Sequence, residues 1–260
     1  MDKNFNSLVK VDEFTNVADI YYTVKSGGVS EGPYAGFNLA LHVGDKEESV
    51  IKNRALLEEA LGKKIVFMHQ SHSNRVEVVD SQLATSPKAV LEGKEPLSLG
   101  IEADGIVTTD RNVALAVLTA DCLPLLMVSE DGKAAAAVHC GWKGMLAGII
   151  KNATSLMRRY SYAPIHAYVG PCIGPEHYEV GPEILAQFSK VVENAHEEFL
   201  PADDGKYMCS LPGLCHRMLT MAGVPYIMFS ARDTYGEAEK FFSYRRANVT
   251  GRMASIISLK

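Results

Sequence analysis

The stretch TADCLPLLMVSEDGKAAAAVHCGWKG, residues 119–144, constrains the chain most tightly. Two apolar runs, 123–129 and 133–138, flank Asp131-Gly132, a dipeptide that signals a tight β-hairpin. A two-residue turn sets Glu130 opposite Lys133, and counting back along the pair sets Pro124 opposite His139. Cys122, two residues before Pro124, then falls on the same face as His139. Diagonal neighbours in an antiparallel pair lie about 7–8 Å apart between Cα atoms, close enough for a thiolate and an imidazole to share one ion. Pro124 has no ladder N–H, so the pairing is expected at a sheet edge or where the ladder frays.

Strand-like segments fill 8–24, with 20–24 the clearest. A loop over 25–45 carries Gly27, Gly28, Gly32, Gly36 and Gly44 and excludes a regular element. Residues 47–61 have helical apolar spacing at Val50, Leu57 and Leu61, and Gly62 is the expected stop. Strands over 64–68 and 75–79 flank the segment HQSHSN. The polar tract 80–100 predicts a mobile excursion. Strands over 104–108 and 113–118 lead into the hairpin. Helices are predicted over 145–160, 182–196 and 211–222, and strands over 166–169, 224–229, 241–245 and 253–258. Strands and helices interleave without strict alternation, which predicts a mixed α/β or α+β fold. With no linker-like stretch and no internal repeat, the chain reads as one domain, 1–260.

A formal charge of −5 argues against a nucleic-acid surface. No run is long and apolar enough for a membrane span, and the opening MDKNFNSLVKVDEF lacks the apolar core of a secretory leader. The five cysteines are an odd number without framework spacing, which suits reduced thiols in a cytoplasm.

A metal shared by Cys122 and His139 needs a third ligand, and HQSH offers His69 and His72, of which one is expected to face the site. A Cys-His₂ set with an open fourth position is the arrangement of a catalytic zinc. The bland alternative is that Cys122 is buried filler at a strand end. Asp121 reads either as a turn residue or as a group that orients a ligand. Gly141-Trp142-Lys143-Gly144, ahead of the predicted helix at 145, suggests an anion site from the helix N-terminus and the Lys143 charge. Arg245 and Arg246 suit phosphate or carboxylate, although neighbours on a strand face opposite sides, so one of them is expected to point inward.

The segments GPYAGFNLALHVGD, HQSH, ADGIVTTD, LAVLTADCLPLLM, AAVHCGWKG, VGPCIGPEHYEVG and FFSYRRANVTGRM, in this order, resemble the laccase-domain family. Its members are variously called polyphenol oxidase, peptidoglycan editing factor and purine nucleoside phosphorylase. The resemblance implies a zinc site at His72, Cys122 and His139, and so favours His72 over His69. It also implies phosphorolysis of adenosine, inosine, guanosine and methylthioadenosine, with hydrolytic deamination of adenosine, so that the partners are a purine nucleoside and phosphate. The implied fold is a four-layer α/β/β/α domain with two stacked mixed sheets. Two departures stand out: Cys140-Gly141-Trp142-Lys143 where the family commonly has Ala-Gly-Trp-Arg, and Asp233-Thr234 where a Cys-Thr pair is frequent. The first removes any bidentate contact made by that arginine.

Rival readings remain. A blue-copper site needs His₂Cys with a weak axial ligand such as Met127 or Met145. A laccase also needs a trinuclear cluster, usually built from His-x-His pairs, which this chain lacks among its eight histidines. Copper remains the alternative ion for the same ligands. Cys122 with His139 as base would equally serve a cysteine hydrolase, and editing of a muropeptide precursor is a further reading. The His-x-Glu with Pro-Cys-x-x-Cys signature of the usual zinc deaminases is absent. A non-catalytic binding module would be expected to show a broken ligand set, and here the set is intact.

Overall fold

The hairpin at 119–144 lies in the middle of a six-stranded sheet. The computed structural model describes residues 6–14 and 16–260. Residues 1–5, part of the opening segment read above, lie outside the described residues. The first half runs β1 (Leu8–Val11), β2 (Ala18–Thr23), α1 (Glu47–Leu61), β3 (Lys64–Val66), β4 (Met68–His69), β5 (Val76–Val78), α2 (Pro87–Leu91), β6 (Ile101–Glu102), β7 (Gly105–Thr108) and β8 (Val113–Thr119). Then follow β9 (Leu123–Ser129), β10 (Ala135–Cys140), α3 (Trp142–Leu146), α4 (Ile149–Met157), β11 (Ile165–Val169), β12 (Glu179–Val180) and α5 (Pro182–Phe188). The chain closes through β13 (Phe199–Pro201), β14 (Tyr207–Cys209), α6 (Leu211–Met221), β15 (Tyr226–Phe229) and β16 (Met253–Leu259).

Two mixed sheets dominate, one ordered β1-β2-β16-β8-β3 and the other β15-β11-β9-β10-β7-β5. In each, parallel pairs (β3 with β8; β5 with β7 and β11 with β15) sit beside antiparallel ones. The α+β expectation with two stacked mixed sheets holds. Strand parity explains the stacking. Val113, Leu115 and Val117 of β8 pack in one core with Leu126 and Val128 of β9, Ala135 and Ala137 of β10, and Ile257 of β16. Their neighbours Ala114, Ala116 and Leu118 face the other way, onto Leu57 of α1 and onto Phe37 and Leu39 of the 25–45 loop. Leu125 and Met127 of β9 turn instead toward Ile149, Ile150 and Ala153 of α4 and Leu214 of α6.

The hairpin register is the one read from the turn: Ala135 opposite Val128, continuing to His139 opposite Pro124. The His139 N–H donates to the Asp104 carbonyl at 2.7 Å on the far flank, so Pro124 and His139 form a non-hydrogen-bonded pair. That pair asks no donor of the proline. β9 is a central strand, yet Pro124 lies near its fraying start, where its carbonyl accepts from the Gly170 N–H at 2.9 Å.

Helix α1 begins with Glu47 and Glu48 and ends on Gly62, left-handed at φ 64°, as its sequence predicts. The 25–45 loop contains no regular strand or α-helix and is tied down instead. Asn53 of α1 donates to Ser30 Oγ and the Asn38 carbonyl, and accepts from the Val29 N–H.

Five elements differ from expectation. The predicted helix over 145–160 is broken: Gly148 is left-handed at φ 90° and separates α3 from α4. The predicted helix over 182–196 stops at Phe188, and Asn194 at φ 54° precludes its continuation. The tract 80–100 holds α2, capped by Ser86 and begun by Pro87, and α2 packs on α1. The 64–68 strand is divided, β3 joining the five-stranded sheet and β4 pairing with β6. Residues 241–245 form no strand, because Phe241 and Phe242 are both buried and side chains hold the backbone: Met253 Sδ accepts from the Phe242 N–H and Asp121 from the Arg245 N–H.

Candidate metal site

His139 stands on the face of β10 that carries Ala135 and Ala137, at the rim of the core between the two sheets. Its Nδ1 lies 2.8 Å from Asp104 Oδ1, which leaves Nε2 for the site. Asp104 precedes β7 and is fully buried. Its Oδ1 also accepts from the His72 N–H at 3.0 Å, and its Oδ2 accepts from the Ser73 N–H and hydroxyl, both at 2.7 Å, and from the Ser71 N–H at 3.1 Å. Burial pushes the Asp104 carboxyl up, but the hydrogen bonds from His139 and Ser73 outweigh it and hold it well below the usual carboxylate range. One carboxylate thus shapes the loop that presents His72 and orients the ring of His139.

His72 adopts φ 61°, a left-handed backbone that side-chain-bearing residues adopt seldom. The glycines of GWKG make room for it. A Cβ on Gly141 would sit 2.5 Å from His72 Nδ1, and one on Gly144 would sit 2.8 Å from the Ser73 carbonyl. Gln70 fixes the loop to β8, donating to the Leu118 carbonyl and accepting from the Leu118 N–H, each at 2.8 Å.

Cys122 lies in the crossover from β8 to β9, after Asp121 at φ 98°. The Asp121 carboxylate accepts from Thr234 Oγ1 at 2.7 Å, Ser243 Oγ at 3.0 Å and the Arg245 N–H at 2.6 Å. It anchors the chain on either side of the site, which is the turn-stabilising role.

The structure brings His72, Cys122 and His139 together, their ligand atoms all within 4.8 Å of one another, with His72 exposed, Cys122 half-buried and His139 buried. His69 is not in the group, and its ring lies 6.4 Å from that of His42. At a tetrahedral zinc, bonds of about 2.3 Å to sulfur and about 2.1 Å to nitrogen set neighbouring donors about 3.4–3.6 Å apart. The three donors would therefore hold one ion after closing by at most about 1.4 Å. Burial works against a charged His139, but the charge of Cys122 and hydrogen bonds to Asp104 and Cys122 outweigh it and lift the imidazole to about 9.

Two cavities meet at Cys122, sharing Ala120 and Tyr244 as well. The larger, about 390 Å³, is lined by His42, Gln70, His72, His139 and Arg252. The smaller, about 130 Å³, is lined by Trp142, Ile173, Tyr178 and Arg245.

Of the expected anion-binding cations, Arg245 lies in the smaller cavity, 5.1 Å from the Tyr178 ring, with Nη1 donating to the Glu179 carbonyl at 3.0 Å. Arg246 is used otherwise, donating to the backbone carbonyls of Thr234, Tyr235 and Phe241. Lys143 is exposed and lies 5.6 Å from the Trp142 ring, outside both cavity linings. The helix it belongs to, α3, spans only the five residues Trp142–Leu146. Asp104, His42 and Arg252 were not legible as site residues. A buried acid at the start of an apolar strand was the available signal for Asp104. For Arg252 it was a lone cation entering the last strand.

A pair of stacked mixed sheets with one His-Cys-His group at their rim defines a recognisable class of protein. The chain belongs to the family whose model, described as multi-copper polyphenol oxidoreductase laccase, matches residues 19–260. It is similar to a purine nucleoside phosphorylase of Haemophilus influenzae, 36% identical over 99% of this chain and 98% of that protein. One from Corynebacterium glutamicum is 38% identical over 92% and 93%. Among solved structures, the hypothetical protein YfiH of Bacillus licheniformis superposes with a TM-score of 0.88 at 31% identity, over 98% of this chain and 97% of that one. Among the described residues no helix is long and apolar enough to cross a membrane.

Proposed function

We propose that this chain is a zinc-dependent enzyme of purine nucleosides in the cytoplasm, acting as one catalytic unit. Its reactions are phosphorolysis of adenosine, inosine, guanosine and methylthioadenosine, and hydrolytic deamination of adenosine. The observation that carries this reading is the convergence of His72, Cys122 and His139 beside a cavity of about 390 Å³. The names of the relatives supply the substrate class. His72, Cys122 and His139 would hold the ion, which supplies Lewis-acid polarisation to a substrate oxygen or nitrogen when bound.

The remaining steps belong to the protein. Asp104 fixes the His139 tautomer and so the direction of Nε2. Trp142, Tyr178 and Tyr244 offer aromatic surfaces beside Cys122 against which a purine stacks. Arg245, which lines the smaller cavity, would hold phosphate together with Lys143. Multi-copper chemistry finds little support, because the described residues contain one metal-capable group.

The test is to incubate the purified protein with adenosine, with and without phosphate, and to separate the products. Adenine with phosphate and inosine without it are expected. The absence of adenine, inosine and hypoxanthine under both conditions would overturn the purine reading. Cys122→Ala is expected to lose both turnover and zinc.

A second reading rests on the chain of contacts from Asp104 through His139 to Cys122, the order of acid, base and nucleophile in a cysteine hydrolase. Full turnover after stoichiometric zinc removal would favour it over the metal enzyme.

A further inference from the structure

Arg54, on α1, is only 7% exposed, yet it takes part in no ion pair among the described residues. Its Nε donates to the Leu39 carbonyl at 2.9 Å, and its guanidinium carbon lies 3.9 Å from the Phe67 ring centre. No hydrogen bond or ion pair engages its terminal nitrogens among the described residues. Burial lowers the group to about 9, with no carboxylate among the described residues to offset it. Glu58, one helical turn on, accepts instead from Ser86 Oγ at 3.4 Å. A buried cation without a counter-charge is unfavourable unless something else supplies one.

Arg54 lines a cavity of about 240 Å³ between α1, β3 and the 80–100 tract, separate from both cavities at Cys122. Ile65, Phe67, Val90 and Leu97 make apolar walls, and Thr85 and Ser98 add hydroxyls. An apolar cavity of about 150 Å³ admits benzene, so this one has room for a somewhat larger body. We infer that this cavity is a second ligand site, which binds a small monocarboxylate with an apolar body through Arg54. The planar guanidinium matches a carboxylate in bidentate fashion. One cation in apolar walls favours a singly charged head over a phosphate dianion, and the walls reject an ion that has no apolar part. This site does not depend on the proposed purine chemistry.

Equilibrium dialysis of radiolabelled hexanoate against the full chain tests the inference, with phenylacetate, hexanol and inorganic phosphate as competitors. One saturable site per chain is expected, emptied by phenylacetate and untouched by equal concentrations of hexanol or phosphate. Arg54→Met is expected to weaken binding at least tenfold. Because Arg54 also holds the Leu39 carbonyl, Val90→Trp serves as a second variant that fills the cavity and leaves the arginine in place. It too is expected to lose at least tenfold in affinity while keeping the circular dichroism of the parent. No saturable uptake, undiminished binding in Val90→Trp, or equal displacement by hexanol or by inorganic phosphate would each overturn the inference.

Discussion

Asp104 is the first of two acids in the segment ADGIVTTD, and both of its oxygens are engaged. Oδ1 serves His139 and the His72 amide, and Oδ2 serves Ser71 and Ser73. An amide in its place keeps the size but presents one acceptor atom instead of two, and loses the charge that favours the His139 N–H. Loss of such an outer partner typically costs about 10–100-fold in metal affinity. Asp104→Asn is therefore expected to weaken zinc binding by about that factor, measured by competition with a chromophoric chelator; unchanged affinity would remove Asp104 from the orienting role. What the sequence made legible here was the pair Cys122 and His139, since hairpin parity places them on one face. It could not choose between His69 and His72 from spacing, because the choice rests on a left-handed residue in a loop and on two glycines more than 60 residues away. The choice between Arg245 and Arg246 was left open for a related reason: strand alternation does not describe a segment whose backbone is a turn.

The elements were most legible where a local signal dictates geometry. Asp131-Gly132 set the register of β9 with β10, and Gly62 ended α1. The break at Gly148 was hidden because the apolar spacing of Leu146, Ile149, Ile150, Ala153 and Met157 runs on across it. That difference has a sign that can be measured. In an unbroken helix, Gly148→Ala would stabilise by about 0.5–1 kcal/mol. At φ 90°, with no atom within 4 Å of the added Cβ, the same change meets only the backbone penalty of the left-handed region, about 1–2 kcal/mol. Urea unfolding is expected to show a loss of that size, and a gain would mean that α3 and α4 are one helix.

A second element-scale prediction concerns Asp110, in the turn between β7 and β8. Hydrogen bonds from Ser81, and then from the Asn112 amide, lower its carboxyl to about 2. A carboxyl held below its unfolded value of about 3.9 stabilises the fold in full above that value and loses the contribution as the pH falls through the folded one. The stability margin of the parent over Asp110→Asn is thus expected to be constant from pH 5 upward and to shrink between about pH 4 and pH 2. A margin independent of pH across that window would show that the charge of Asp110 contributes nothing.

At the scale of the whole molecule, the His-Cys-His group sits where separate parts of the chain meet. Cys122 belongs to the crossover between the sheets, His139 to the six-stranded sheet, and His72 to a loop that Gln70 pins to β8 of the five-stranded one. An ion bound by all three ties the two sheets at their rim, and the unfolded chain cannot reproduce that geometry across 68 residues, from His72 to His139. Ligand linkage then stabilises the fold by about 2.7 kcal/mol when free zinc is 100 times its dissociation constant. For a chain of this size about 1 kcal/mol corresponds to about 2–4 °C, so the midpoint of thermal unfolding is expected to rise by about 5–10 °C on zinc addition. Chelation should reverse the shift, and Cys122→Ala should abolish it while leaving the metal-free midpoint nearly unchanged, because the thiol is at the rim and not in the core. An equal shift in Cys122→Ala would place the ion elsewhere. The absence of any shift in the parent would mean that the three side chains meet for the thiol chemistry of Cys122 rather than for a metal.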